Sequence, residues 1–179
     1  MKKEVRICGF GGQGVILAGF IIGKAACVFS DYNSVQSQSY GPEARGGAAR
    51  SEVIISDGKI GYPRPIGIDI MAAMAQEAFD SYRGDLREGA IIIIDPDLVP
   101  RNDIGTPIYR VQVQKIAEEL GNKIVTNITM VGALIGITKI LEVEAVKKAV
   151  IDSVPKKFME LNVNAFEQGL EAGTNARPE

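Results

Sequence analysis

The apolar positions of this chain change period several times, and each change marks an element. Glu4–Cys8 is a short apolar strand that runs into a glycine-rich turn, and the turn opens into an apolar helix over Val15–Phe29. Asp31–Ser39 alternates polar and apolar positions and reads as a second strand. Tyr40–Gly47 has no period and holds three glycines, which makes it a loop. Ala49–Ser56 alternates again and ends in Asp57-Gly58, a two-residue hairpin signal with Lys59–Tyr62 as the returning strand. Ile68–Ala73 is a strand, Ala75–Tyr82 a short helix stopped near Gly84, and Ala90–Ile94 a β-branched run closed by Asp95-Pro96, as in a strand buried on both faces. Ile108–Val113 reads as another strand and Lys115–Leu120 as a helix ending at Gly121. Helices follow over Ile128–Leu141, Val143–Ser153 and from beyond Pro155 to about Ala172. The pattern is that of an α/β protein with a Rossmann-like mixed sheet, an antiparallel hairpin and a helical C-terminal third. It fits one domain over residues 1–173 and a loose tail over 174–179.

Two of these helices are apolar all round. Val15–Phe29 carries one charge, Lys24, and Ile128–Leu141 carries one, Lys139, with Gly132 and Gly136 a turn apart on one face. Such helices need cover on both sides. The sheet supplies one cover; the other is either later helices of the same chain or a partner subunit, including a second copy.

Composition narrows the chemistry. The 179 residues carry a net charge of -2 with no Lys/Arg block, which argues against nucleic acid as a partner. The apolar runs are broken by Lys24, Asn127 and Lys139, short of a membrane span, and Met1-Lys2-Lys3 leads into a strand rather than a cleavable leader, so the expected location is cytoplasmic. Cys8 and Cys27 lack CxxC spacing and read as buried small hydrophobes. There is no histidine, so no Ser-His or Cys-His pair and no ordinary zinc site can form, and no metal ligand set is assigned.

Gly9-Phe10-Gly11-Gly12-Gln13-Gly14 satisfies G-x-G-x-x-G between a strand and a helix, where backbone N–H groups and the helix dipole can hold an anion. The acid expected about twenty residues further on to bind a ribose is not convincingly present, because Asp31 falls at the start of the second strand. The turn can therefore serve a dinucleotide, another anion, or only strand-to-helix packing. The second loop adds Glu43, Arg45 and Arg50 among glycines at what should be the same sheet edge. Arg45 can take a carboxylate or phosphate, or pair with Glu43 to pin the loop.

With both loops in view, the chain resembles the gamma subunit of the 2-oxoacid:ferredoxin oxidoreductases that act on pyruvate, 2-oxoglutarate, 2-oxoisovalerate and indolepyruvate. The matching stretches are Gly9–Gly19, Ser39–Ser56, Asp69–Met74, Thr126–Gly136 and Phe158–Gly169, in the family's order and spacing. The resemblance implies a three-layer α/β/α domain, not active alone, in a complex that converts a 2-oxoacid and coenzyme A to acyl-CoA, carbon dioxide and reduced ferredoxin, with 2-oxoglutarate as the first choice. It implies thiamine diphosphate and Mg²⁺ on alpha and beta subunits and iron–sulfur clusters on a ferredoxin-like subunit, with no cofactor bound by this chain alone. Carried onto this sequence, Gly11, Gly12, Gln13 and Gly14 and, from the second loop, Tyr40, Glu43, Arg45, Gly46 and Gly47 would face the active-site entrance and the coenzyme A phosphates or a neighbouring subunit. No catalytic residue is assigned. The competing readings are an independent dinucleotide-binding oxidoreductase and a purely structural interaction subunit.

Overall fold

The computed structural model describes residues 1–40, 47–102 and 104–179. The elements run β1 (Lys2–Phe10), α1 (Val15–Val28), β2 (Asn33–Tyr40), β3 (Ala48–Ser56), β4 (Ile68–Ala73), α2 (Gln76–Tyr82), β5 (Leu86–Ile94), β6 (Ile108–Arg110), α3 (Val113–Glu119), α4 (Thr126–Thr138), α5 (Val143–Ser153) and α6 (Met159–Asn175), with short 3-10 turns leading into α4 and α6.

The sheet order is β2-β3-β1-β4-β5-β6. β1, β4, β5 and β6 run parallel, whereas β3 is antiparallel to both β1 and β2. An antiparallel hairpin is present, but it is formed by β2 and β3 and not by Ala49–Ser56 with Lys59–Tyr62. Lys59–Tyr62 is not a returning strand. The physical reason is that β3 pairs along its length with β2 on one edge and β1 on the other, which leaves no edge for a third partner. Pro63 and Pro65 follow, and neither could donate to a ladder.

The period-2 alternation sorts β1 cleanly. Val5 and Ile7 enter the larger core, roofed by α1, α4 and their neighbours, while Cys8 enters a smaller core under α2. Among the described residues, one face of the sheet thus carries α1, α3, α4, α5 and α6, and the other carries α2 alone, giving three unequal layers. The smaller core accepts charge: Arg6 lies on the Cys8 side of β1 and is 2% exposed.

α4 is buried along eleven positions, Thr126 to Gly136. Its cover comes from the same chain, as one of the two sequence readings has it. α6 packs so closely that a Cβ at Gly132 would overlap the Phe166 carbonyl oxygen and a Cβ at Gly169 the Thr129 carbonyl oxygen. α1 is different. The sheet and α5 cover much of it, yet Phe20 is 46% and Val28 59% exposed, and Cys27, expected to be buried, is exposed beside them.

The C-terminal residues, which the sequence pattern leaves loose, are tied to the sheet edge. Ile108 and Glu179 exchange backbone hydrogen bonds of 2.9 and 3.0 Å, and Arg110 donates to the Glu179 carboxylate at 3.0 Å. α6 itself runs to Asn175, with Gly173 buried in it.

Candidate functional site

The turn from β1 to α1 is held in shape by side chains from three directions. Gln13 folds back so that its Oε1 accepts the Phe10 N–H at 2.6 Å and its Nε2 donates to the Met74 carbonyl at 2.8 Å, bridging the carboxyl ends of β1 and β4. Gly14 caps α1 in the left-handed conformation, φ 72°. Asn127, in the first turn of α4, donates from Nδ2 to the Gly14 carbonyl at 3.1 Å and fills the space that a side chain at position 14 would need. Gly11 and Gly12 are the exposed crest of the turn. Gln13 is therefore a buttress whose amide is used internally, and the surface on offer is backbone.

The second loop meets the first. The Gly11 N–H donates to the Gly47 carbonyl at 3.1 Å, so the structure brings Gly11 and Gly47 together at one sheet edge, where the sequence reading places both loops. Tyr40 ends β2. Its side chain, and Glu43, Arg45 and Gly46 altogether, lie outside the described residues.

This arrangement removes the geometry an independent dinucleotide site needs. β2, which would carry the ribose-binding acid, is separated from β1 by the antiparallel β3. Gly47 and Ala48, leading into β3, stand directly against the glycine turn at the crevice beside β1.

Two buried ionic features lie near this edge. Arg6 donates from Nε and Nη2 to Glu52 Oε1 at 2.8 and 2.5 Å, from Nη2 to Asp85 Oδ2 at 2.8 Å, and from Nη1 to Asp85 Oδ1 and the Tyr82 carbonyl. The hydrogen bond from Arg6 holds the Asp85 carboxyl below its ordinary pKa, against a smaller upward push from burial. Burial pushes the Cys8 thiol up to about 12, so it is an inert core group. At the end of β5, burial likewise pushes the Asp95 carboxyl up, in spite of backbone hydrogen bonds that pull it down. A buried carboxyl with a raised pKa can mark a catalytic base. Here Oδ1 accepts the Asp97 N–H at 2.9 Å and Oδ2 the Gln114 N–H at 2.8 Å, so Asp95 fastens the β5 end to the start of α3. Among the described residues no group of three or more Cys, Asp or Glu side chains is placed to hold a metal ion.

Sequence reasoning did not single out Asn127, Tyr82 or Met74. Asn127 lies inside a stretch that carries the family resemblance, but its contact with Gly14 spans 113 positions and leaves no local pattern. Met74 contributes only its carbonyl, which any residue would offer.

A mixed sheet of this order, a glycine turn without a ribose acid and a helical C-terminal third define a class, and the chain belongs to it. A family model described as pyruvate ferredoxin/flavodoxin oxidoreductase matches residues 4–172, and this chain is a member of that family. Within the family it is similar to the 2-oxoglutarate synthase subunit KorC of Methanocaldococcus jannaschii, 47% identical over 175 residues that cover 96% of this chain and 94% of the relative. A solved gamma subunit of a keto/oxoacid ferredoxin oxidoreductase from Geobacter sulfurreducens superposes with a TM-score of 0.91 at 41% identity, covering 100% of this chain and 99% of that one. The 2-oxoglutarate:ferredoxin oxidoreductase of Magnetococcus marinus, solved with 2-oxoglutarate, coenzyme A and succinyl-CoA bound, shares the fold: its TM-score is 0.81 at 23% identity, over 97% of this chain and 31% of that one.

Proposed function

We propose that this chain is the gamma-type subunit of a 2-oxoglutarate:ferredoxin oxidoreductase, in which it forms part of the wall of the coenzyme A entrance and of the joint between subunits. The observation that carries the reading is the end-to-end match to a 2-oxoglutarate synthase subunit at 47% identity. The geometry supports it, because the glycine turn meets Gly47 through the Gly11 N–H while the Gln13 amide is spent inside the turn.

Decarboxylation in this reading belongs to thiamine diphosphate and Mg²⁺ on alpha and beta subunits, and electron export to iron–sulfur clusters on a ferredoxin-like subunit. The site residues on this chain are the crest Gly11–Gly14, with Gln13 as its internal support, and the second loop from Tyr40 to Gly47, including Glu43, Arg45 and Gly46. Its place is the cytoplasm; no described helix is long and apolar enough to cross a membrane.

Co-expression with candidate thiamine-binding and ferredoxin-like chains of the same organism tests the proposal. The purified complex should reduce a viologen dye in the presence of coenzyme A, with a higher kcat/KM for 2-oxoglutarate than for pyruvate or 2-oxoisovalerate, and the chain alone should be silent. Turnover by the isolated chain would overturn the subunit reading, and a preference for pyruvate would overturn the choice of substrate.

A further inference from the structure

Next to the two loops lies a guanidinium that the fold does not use up. Arg6 satisfies its charge completely, with Glu52 on one side and Asp85 on the other. Arg50, on β3 opposite Cys8 and two positions from Ala48, has what remains. Its ion-pair partner among the described residues is Glu52, whose Oε1 stands 3.6 Å from the Arg50 Nε while already accepting two hydrogen bonds from Arg6. That Nε is buried and, among the described residues, has no hydrogen-bond partner. Leaving a charged donor desolvated and unmatched is costly, and folds keep such groups where something else completes them.

The group is also held in place. The Arg50 guanidinium lies over the Tyr82 ring, 4.8 Å from its centroid. The ring is itself fixed, because the Tyr82 hydroxyl donates to the Ala48 carbonyl at 3.0 Å, next to the Gly47 that meets the glycine turn. The side chain remains 33% exposed, so it is reachable from outside. On the same face of the sheet the neighbouring strand places Ser39 directly opposite Arg50. A planar fork with a fixed orientation and a hydroxyl-bearing neighbour is a recognition element for an oxyanion.

We infer that Arg50, stacked on Tyr82 beside Gly47, is an oxyanion anchor completed only in the working complex. Its ligand is a phosphate or carboxylate group brought to the loop edge. The inference rests on the subunit reading for the identity of the complex, and it adds the residue and the chemistry. Two sources share that chemistry: a phosphate of coenzyme A and a carboxylate on an adjoining subunit.

The test compares the wild-type complex with Arg50→Gln and Arg50→Lys complexes made in the same way. The measured quantities are kcat and KM for coenzyme A and for 3′-dephospho-coenzyme A, and the salt concentration at which this subunit dissociates. If a coenzyme phosphate is the ligand, Arg50→Gln raises the KM for coenzyme A roughly ten-fold or more with kcat little changed, and Arg50→Lys recovers part of the loss. A concurrent loss of discrimination between the two coenzymes assigns the contact to the 3′-phosphate. If the oxyanion belongs to an adjoining subunit, KM stays constant and the variant subunit dissociates at lower salt. Unchanged KM together with unchanged dissociation overturns the inference and leaves Arg50 as packing for Tyr82. A wild-type complex without oxoacid-dependent turnover is a different result: it counts against the proposed function, and the coenzyme A dissociation constant from titration then stands in for KM, so that the same pair of outcomes decides the role of Arg50.

Discussion

At the scale of single residues, the chain pairs a backbone surface at the glycine turn with side chains that brace it from within. Gln13 occupies the motif position where a ligand contact was expected, yet both ends of its amide are engaged by Phe10 and Met74. Asn127 does the complementary work from α4. The charge cluster beneath the loops has a pH signature. The Asp85 carboxyl has its pKa depressed by the hydrogen bond from Arg6, so its contribution is fully present above the unfolded carboxylate value of about 3.9 and is lost as pH falls through the lower folded value. Thermal melts of wild type and Asp85→Asn should differ at neutral pH, with the wild type higher, and should converge as the pH is lowered past that range. A gap that persists undiminished to the acid limit would show that Asp85 acts through packing and not through its charge. What the sequence concealed at this scale was partnership. Arg6, Glu52 and Asp85 are separated by 46 and 79 positions, and nothing local to each marks them as one cluster.

At the scale of elements, the α4–α6 pair shows how a helix apolar all round is accommodated in this fold. Gly132 and Gly136 face Gly169 and Gly173, and each removes a side chain where the other helix's backbone passes. The small-residue spacing was legible in the sequence; which helix it meets was not, because the partner glycines lie more than thirty positions away. Gly169→Ala would push a methyl group into the Thr129 carbonyl, a backbone atom that cannot swing aside. The expected loss is about 1–3 kcal/mol or more, read as a lower denaturant midpoint at unchanged slope. Stability within experimental error of wild type would mean that the helices can separate at little cost. The strand assignments divide in the same way. β4 and α5 run over the residues expected of them, β4 as a central strand buried on both faces and α5 as a helix with one buried face. The expected strand over Lys59–Tyr62 does not form, because its pairing depended on an edge of β3 that β1 takes.

At the scale of the molecule, cover is uneven. α4 is enclosed by its own chain, whereas the outer stripe of α1 is not: Phe20, Lys24, Cys27 and Val28 line a groove of about 260 Å³ with Ser34 and Gln36 of the edge strand β2. Exposed large apolar side chains on a rigid helix beside a sheet edge are the kind of surface that subunits share. Phe20→Asp should leave the melting of the isolated chain almost unchanged, since an exposed position costs within about 0.5 kcal/mol, while weakening incorporation of the chain into the co-expressed complex or a second-copy contact. Size-exclusion profiles of the variant and wild-type assemblies decide this, and identical assembly at equal concentrations would exclude α1 from the joint.

The sequence by itself determined the local features: the strand–glycine turn–helix opening, the β-branched central strand, the apolar character of α1 and α4, and the motif order that marks the family. These follow from short-range chemistry, the period of burial and the φ angles that glycine permits. Only the tertiary structure decided that β3 enters antiparallel between β1 and β2, that Gly11 meets Gly47, that Asn127 secures Gly14, and that Arg6 takes both carboxylates and leaves Arg50 partly unmatched. Those outcomes depend on which distant edges and charges compete for the same partner, and that competition is settled by the packed whole.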